Sequence, residues 1–242
     1  MPDQELVKES AASNESVFHW KEADAYLFDI DGTLLLSPDR THRYALHRAM
    51  LDVFGVETTI DGIPYHGKTD PGILRAALLR MGIPDATIDS RMSEALEVVR
   101  RDASEKADRI KPNVLPGIRD VLELLRTHGK LLGVTSGNLE IVGWLKIKAA
   151  GLREFFEFGC FADECELREQ IFEKGMAEVR KRLGGNASVC FVGDTPDDVR
   201  AAQKVGGRII AVGTGIFKRE DLLSHGPDRS VETCCDLLAI EP

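Results

Sequence analysis

The stretch Ala25-Tyr-Leu-Phe-Asp-Ile-Asp-Gly-Thr-Leu34 decides the reading of this chain. An apolar run carries two aspartates, Asp29 and Asp31, into a glycine turn. Side chains on a strand repeat every two residues, so both carboxylates leave the strand on one face. Two like charges that close repel each other. A cation between them, or a proton on one of them, accounts for the pair better than stability does. Gly32 lets the backbone turn sharply where the strand ends, and Thr33 sets a hydroxyl beside it. The stretch predicts Asp29 as a nucleophile, Asp31 as an acid/base, and a divalent cation bridging them to a phosphate. The blander alternative for two strand-end aspartates is a turn with a helix cap.

The bulk numbers bound the answer. A chain of 242 residues suffices for one large domain, or one domain with a smaller insert. Hydrophobic residues make up 43% and charged residues 29%, the balance of a water-soluble globular protein. A net charge of -9 leaves no basic surplus to replace counterions, so no chain-wide nucleic-acid binding is expected. The five cysteines are Cys160, Cys165, Cys190, Cys234 and Cys235. An odd count without a dense framework fits reduced thiols and a cytoplasmic protein. No apolar run approaches a membrane span. Residues 1–20 are polar and acidic, lack a signal-peptide core, and read as a flexible lead-in. Nothing in the sequence specifies an oligomeric state.

Along the chain, the strand before Asp29 is almost continuously apolar, as in a parallel strand buried on both faces. A helix over 41–54 carries Leu46, Met50 and Phe54 on one face. A turn-rich segment, 61–72, is followed by helices to residue 81 and over 87–107. No strong strand falls between 37 and 112, which predicts an all-helical insert. Pro112, Pro116 and Gly117 mark the return to another layer. Strands are then expected at 131–135, 155–161, 188–193 and 208–212, alternating with helices at 118–128, 139–150, 170–183 and 196–205. The C-terminus, with Val231 and residues 237–240, adds one more small unit. This alternation implies right-handed crossovers and a parallel sheet. The predicted fold is α/β: a Rossmann-like core formed by 21–36 and 113–242, with an α-helical unit, 37–112, inserted after the first strand.

Open sheets of this kind bind ligands at the carboxyl ends of their strands. Asp29 and Asp31 end the first strand, Thr135-Ser-Gly-Asn138 the second, and Asp194 the fourth. Three apolar strands thus deliver polar groups to one edge, and the agreement outweighs any single segment. A carboxylate can attack phosphorus, and a magnesium ion can neutralise the phosphate oxygens. Asp29 and Asp194 fit the metal-carboxylate role, with the backbone carbonyl of Asp31 as a third ligand. Asp31 would protonate the leaving oxygen and later accept a proton from water, which predicts a raised pKa. Asp198, one helical turn beyond Asp194, would orient a metal-bound water or a basic partner. Arg168 is the candidate fixed positive charge, with Lys174 and Lys148 as competitors. In the insert, Gly67-Lys68-Thr69-Asp70 is a loop able to close over the site, with Lys68 meeting a phosphate or carboxylate. A surface turn with a cap at Thr69 or Asp70 is the alternative there.

These residues resemble the haloacid dehalogenase-like hydrolase superfamily, over about residues 24–240. Asp29-Ile-Asp-Gly-Thr33 matches that family's first motif. Ser136, followed by Gly137 and Asn138, looks like the phosphate-binding hydroxyl of the second, with Thr135 one residue away. Arg168 stands at the third, where the wider family has lysine. Gly193-Asp194 with Asp198 matches the fourth. The insert looks like the family's α-helical cap, and Gly67–Asp70 like the substrate-facing segment of phosphoglycolate-phosphatase-like members. The resemblance implies Mg²⁺ and a small phosphorylated metabolite as substrate, and the expected substrate-binding residues are Thr33, Thr135, Gly137, Asn138, Lys68 and Thr69. Asp31 argues against dehalogenation, because halide leaves without a proton. A phosphosugar mutase of the β-phosphoglucomutase type shares all four motifs. A catalytically silent binder on the same fold would not need Asp31.

Overall fold

The computed structural model describes residues 19–240. Its frame is set by β1 (Ala25–Phe28), whose four residues are all buried. Tyr26 and Phe28 enter one apolar cluster, Ala25 and Leu27 another. That period-two division is what a strand covered on both faces requires. Cys190 and Val192 against Val189 and Phe191 repeat it on β6 (Val189–Gly193). The sheet therefore separates two cores.

Six strands form that sheet, in the order β5-β4-β1-β6-β7-β8. The others are β4 (Leu131–Thr135), β5 (Phe158–Cys160), β7 (Arg208–Val212) and β8 (Arg229–Val231). Every pair is parallel. Against one face pack α4 (Ile118–Thr127), α5 (Glu140–Ala149) and α9 (Cys234–Leu238), through Val121, Leu125, Ile147 and Leu237. Against the other pack α6 (Arg168–Leu183) and α7 (Pro196–Val205), through Phe172, Val179 and Val199. Phe28 pairs in register with Val134 and with Val192. Asp29, Thr135 and Gly193 consequently emerge at one level, beside the central strand where the order switches direction.

Between β2 (Leu35–Leu36) and β3 (Asn113–Val114), a short antiparallel pair, run the helices α1 (Thr41–Phe54), α2 (Asp70–Arg80) and α3 (Asp85–Glu105). They bury Leu46, Met50, Leu74, Leu78 and Val99 in a cluster of their own. Leu139 and Val142, from the start of α5, complete it, so the insert rests on the core through apolar contact as well as polar.

Some expected boundaries shift. The third long strand of the core is shorter than expected, because Arg153–Phe155 forms a 3₁₀ turn before it. The C-terminal unit is β8 followed by α9, with Val231 and Leu237 buried. The flexible lead-in expected over 1–20 falls mostly on residues 1–18, outside the described residues. At its end Trp20 is buried in the core, where its carbonyl accepts the Tyr26 hydroxyl. All five cysteines are free thiols. Among the described residues no helix is long and apolar enough to cross a membrane.

Candidate active site

Where β1 ends, Gly32 takes φ 88°, a left-handed conformation that favours glycine. A β-carbon there would also fall 2.3 Å from Asp194 Oδ2. The turn is tied back by the amides of Leu34 and Leu35, which donate to the Ile30 carbonyl at 2.9 and 3.0 Å. It carries Asp29 and Asp31 into a cavity of about 490 Å³ between the sheet edge and the insert. Ser136, Gly137, Asn138, Lys146, Arg168, Asp194 and Lys68 also line it.

The floor is a cluster of buried acids around one arginine. Arg168 begins α6, and its side chain is 8% exposed. Its Nε donates to Asp198 Oδ1 at 2.7 Å. One terminal nitrogen lies 2.9 Å from Asp29 Oδ1 and 2.5 Å from Asp198 Oδ1. Burial works against the guanidinium charge, but Asp198 and Asp29 hold its pKa above the ordinary value. Asp29, Asp194 and Asp198 each offer an oxygen within 4.8 Å of the others. Three carboxylates against one guanidinium leave the floor short of positive charge. Burial raises Asp29 to about 6; Arg168 opposes that rise, while Asp198 and Asp31 add to it. Asp194 is pushed well above the carboxylate range by burial, then by Asp29 and Asp198. Oxygen donors with an unmet negative charge fit a hard divalent cation such as Mg²⁺.

The acids of the floor are committed to different degrees. Asp198 begins its helix in a reciprocal cap with Thr195. Its Oδ2 accepts the Thr195 amide at 3.0 Å and hydroxyl at 2.6 Å, while Oδ1 faces Arg168. Asp198 thus has the basic partner expected as one of its two roles, and both its oxygens are occupied by protein donors. Asp194 accepts the Thr33 hydroxyl at 3.1 Å. Asp29 faces the cavity with Arg168 as its ion-pair partner.

Asp31 departs from expectation. Its depth in the cleft raises its pKa, but Lys146 and Asn138 together outweigh that, and the carboxyl sits below its ordinary value. Lys146 Nζ donates to Asp31 Oδ2 at 2.6 Å, and Asn138 Nδ2 to the same oxygen at 2.9 Å. The predicted rise is therefore reversed: a buried ammonium beside a carboxylate favours its charged form.

Of the hydroxyls after β4, Ser136 faces the cavity, and its Oγ accepts Asn138 Nδ2 at 2.7 Å. Thr135 lies beneath, fully buried, with no partner for its hydroxyl and outside the cavity lining. Thr33 is likewise buried and engaged by Asp194. Gly137 and Asn138 line the cavity. Lys68 does too, paired with Asp197 at 2.7 Å. Thr69 points away from the cavity: it accepts the Gly72 amide at 3.1 Å as the N-cap of α2 and donates to the Glu166 carbonyl at 2.5 Å. Lys174 pairs with Glu164, and Lys148 is exposed.

Sequence reasoning passed over Lys146 and His42, and gave Asp70 only as part of the 67–70 loop or as a helix cap. Lys146 is 3% exposed and lies on the buried stripe of α5, one turn after Val142 and beside Ile147. A lysine on an apolar stripe was the available signal. His42 gave none beyond lying in a predicted helix.

With this geometry in place, comparison with known proteins gives a consistent result. Residues 23–206 match the family model described as haloacid dehalogenase-like hydrolase. The chain belongs to the haloacid dehalogenase-like hydrolase family. Among curated relatives, a phosphoglycolate phosphatase of Synechococcus elongatus is 29% identical over 217 residues, spanning 88% of this chain and 95% of that protein. A glyceraldehyde 3-phosphate phosphatase of Methanopyrus kandleri is 27% identical over 209 residues, spanning 80% and 85%. CbbY of Rhodobacter sphaeroides, solved in complex with phosphate, shares the fold at TM-score 0.68 and 21% identity, covering 89% of this chain and 96% of its own. For a haloacid dehalogenase-like hydrolase, the sheet edge carrying Asp29, Ser136 and Asp194 is also where open α/β sheets place their ligands.

Proposed function

We propose that this chain is a Mg²⁺-dependent phosphatase of a small phosphorylated metabolite, acting through an aspartyl-phosphate on Asp29. The observation that carries the reading is the position of Asp29. It is a buried carboxylate open to the cavity, with Asp194 and Arg168 on the floor beside it and Asp31 two residues on. The relatives named as phosphatases of phosphoglycolate and glyceraldehyde 3-phosphate support a small substrate.

Asp29 and Asp194 would hold Mg²⁺, with Asp198 fixing Arg168 behind them. When bound, the ion supplies positive charge to the phosphate oxygens. Arg168 and the Ser136 hydroxyl hold the phosphoryl group against Asp29. The carboxylate of Asp29 attacks phosphorus, and the ester P–O bond breaks as Asp31 gives a proton to the leaving oxygen. Asp31 rests ionised, so a substrate bound as its monoanion brings the proton that Asp31 relays. In the second half Asp31 takes a proton from water, the hydroxide oxygen bonds to phosphorus, and the Asp29–phosphorus bond breaks to release phosphate. The helical insert acts as a cap that covers this chemistry, with Lys68 at the cavity wall.

Hydrolysis of 4-nitrophenyl phosphate tests the reading. Activity should require Mg²⁺, and Asp29→Asn should lower kcat by at least about 10³-fold. Activity that survives chelation, or that the variant retains, overturns it.

A further inference from the structure

Lys146 belongs to none of the four motifs, yet it is among the most committed side chains of the site. A buried ammonium is costly unless its donors are met. Here Nζ reaches Asp31 Oδ2 at 2.6 Å, Asn138 Oδ1 at 2.8 Å and His42 Nδ1 at 3.2 Å. The three partners come from three places: the end of β1, the loop after β4, and the first turn of α1 in the insert. Asn138 closes a ring, since its amide nitrogen donates to the same Asp31 oxygen. One carboxylate oxygen is thereby held by two donors that are themselves bonded to each other.

The third contact leads out of the core. Lysine has only donors, so His42 Nδ1 accepts and Nε2 carries the ring proton. Nε2 lies 3.0 Å from Asp70 Oδ2. Asp70 is 2% exposed, and the same oxygen accepts the Leu139 amide at 2.8 Å. The Asp70 amide donates to the Gly137 carbonyl at 2.7 Å. Asp70 is therefore a clasp between the insert and the core, and His42 connects that clasp to Lys146.

We propose that Lys146 is a positioning residue for the Asp31 carboxyl, and that His42 makes its hold depend on the seating of the insert. The proposal rests on Asp31 being the proton carrier of the phosphatase reading. An unseated insert leaves Lys146 without its histidine and Asp31 with a looser anchor. A seated insert completes both. Proton transfer to the leaving oxygen is then efficient only when the substrate is enclosed.

The test compares two esters in single-turnover formation of the phosphoenzyme. An alkyl phosphate needs its leaving oxygen protonated; 4-nitrophenyl phosphate, whose leaving group is a stable anion, hardly does. Lys146→Met should slow the alkyl ester by about 100-fold and the aryl ester by less than about tenfold. His42→Ala, at a half-buried position, should show the same selectivity at about tenfold on the alkyl ester. Asp31→Asn should reproduce the selectivity, and adding Lys146→Met to it should cost nothing further. Equal losses on the two esters, or additive losses in the double variant, overturn the proposal and leave the phosphatase reading standing. If Lys146→Met does not fold, His42→Ala decides by the same ratio. A wild-type protein that turns over neither ester with Mg²⁺ overturns the phosphatase reading and this proposal with it.

Discussion

The floor of the site and the seam above it are built on opposite electrostatic plans. The floor sets Asp29, Asp194 and Asp198 around Arg168, and two of those acids are held well above their ordinary pKa. The seam joins Asp31, Lys146, His42 and Asp70 in an alternating chain, and there Asp31 is held below its ordinary value. The floor sets three carboxylates around one guanidinium, whereas the seam spaces two carboxylates apart with an ammonium and a neutral imidazole between them. A crowd of buried carboxylates is a receptor for a cation, whereas a chain whose acids are kept apart by hydrogen-bonded donors is a fastening. The two regions should respond differently to the same perturbations.

The largest difference is expected from a methyl group at the turn. Gly32→Ala would force a left-handed backbone on alanine and drive its β-carbon onto Asp194. Asp194 has to move, and an ångström of movement at a reacting centre costs about 10²-fold in kcat. Magnesium affinity should fall with it, while the seam stays intact. A Gly32→Ala protein with normal magnesium affinity would show that Asp194 is not part of the cation receptor.

The two regions were also legible to different degrees in the sequence, and the reason is physical. Asp29, Ser136 and Asp194 each follow a buried strand, and the register of a parallel sheet brings such ends together. A local pattern and one topological rule were enough. The seam depends on side chains meeting from helices. Lys146 is 115 residues from Asp31 and 104 from His42. In sequence it is one of two lysines in Leu145-Lys-Ile-Lys148, and only the facing of α5 separates the buried one from the exposed one. The expected rise of the Asp31 pKa failed for the same reason, since the group that reverses it was not visible. Arg168 was placed on the correct edge, but its bond to Asp198 was not readable from spacing.

Acidity gives a second way to separate the regions. Asp29, raised to about 6, contributes stability that is fully present below its unfolded pKa and is lost as pH rises through about 6. Asp194 is raised as well and acts in the same direction. Above about 6 Asp29 is ionised and adds its charge to a floor crowded with carboxylates unless a cation intervenes. Saturating Mg²⁺ should therefore raise the Tm by roughly 5–10 °C at about pH 7.5 and by much less at about pH 5. Calorimetry with and without the ion reads this directly. An equal shift at the two pH values would mean that the ion binds somewhere other than the floor.

The smallest expected effect is at the outer end of the seam. Thr69 serves the insert twice, as acceptor for the Gly72 amide and as donor to the Glu166 carbonyl across the boundary with the core. Thr69→Ala removes a helix cap and leaves that carbonyl short of a donor, at a cost of about 1–2 kcal/mol. The Tm should fall by roughly 3–6 °C for a chain of this size. The magnesium-induced shift should be unchanged, because Thr69 touches none of the floor acids and lies outside the cavity lining. Activity should fall less than in Gly32→Ala, since Asp70 still bonds to Leu139 and Gly137. If Thr69→Ala instead abolishes the magnesium response, closure of the insert organises the floor itself, and the two regions are one cooperative unit.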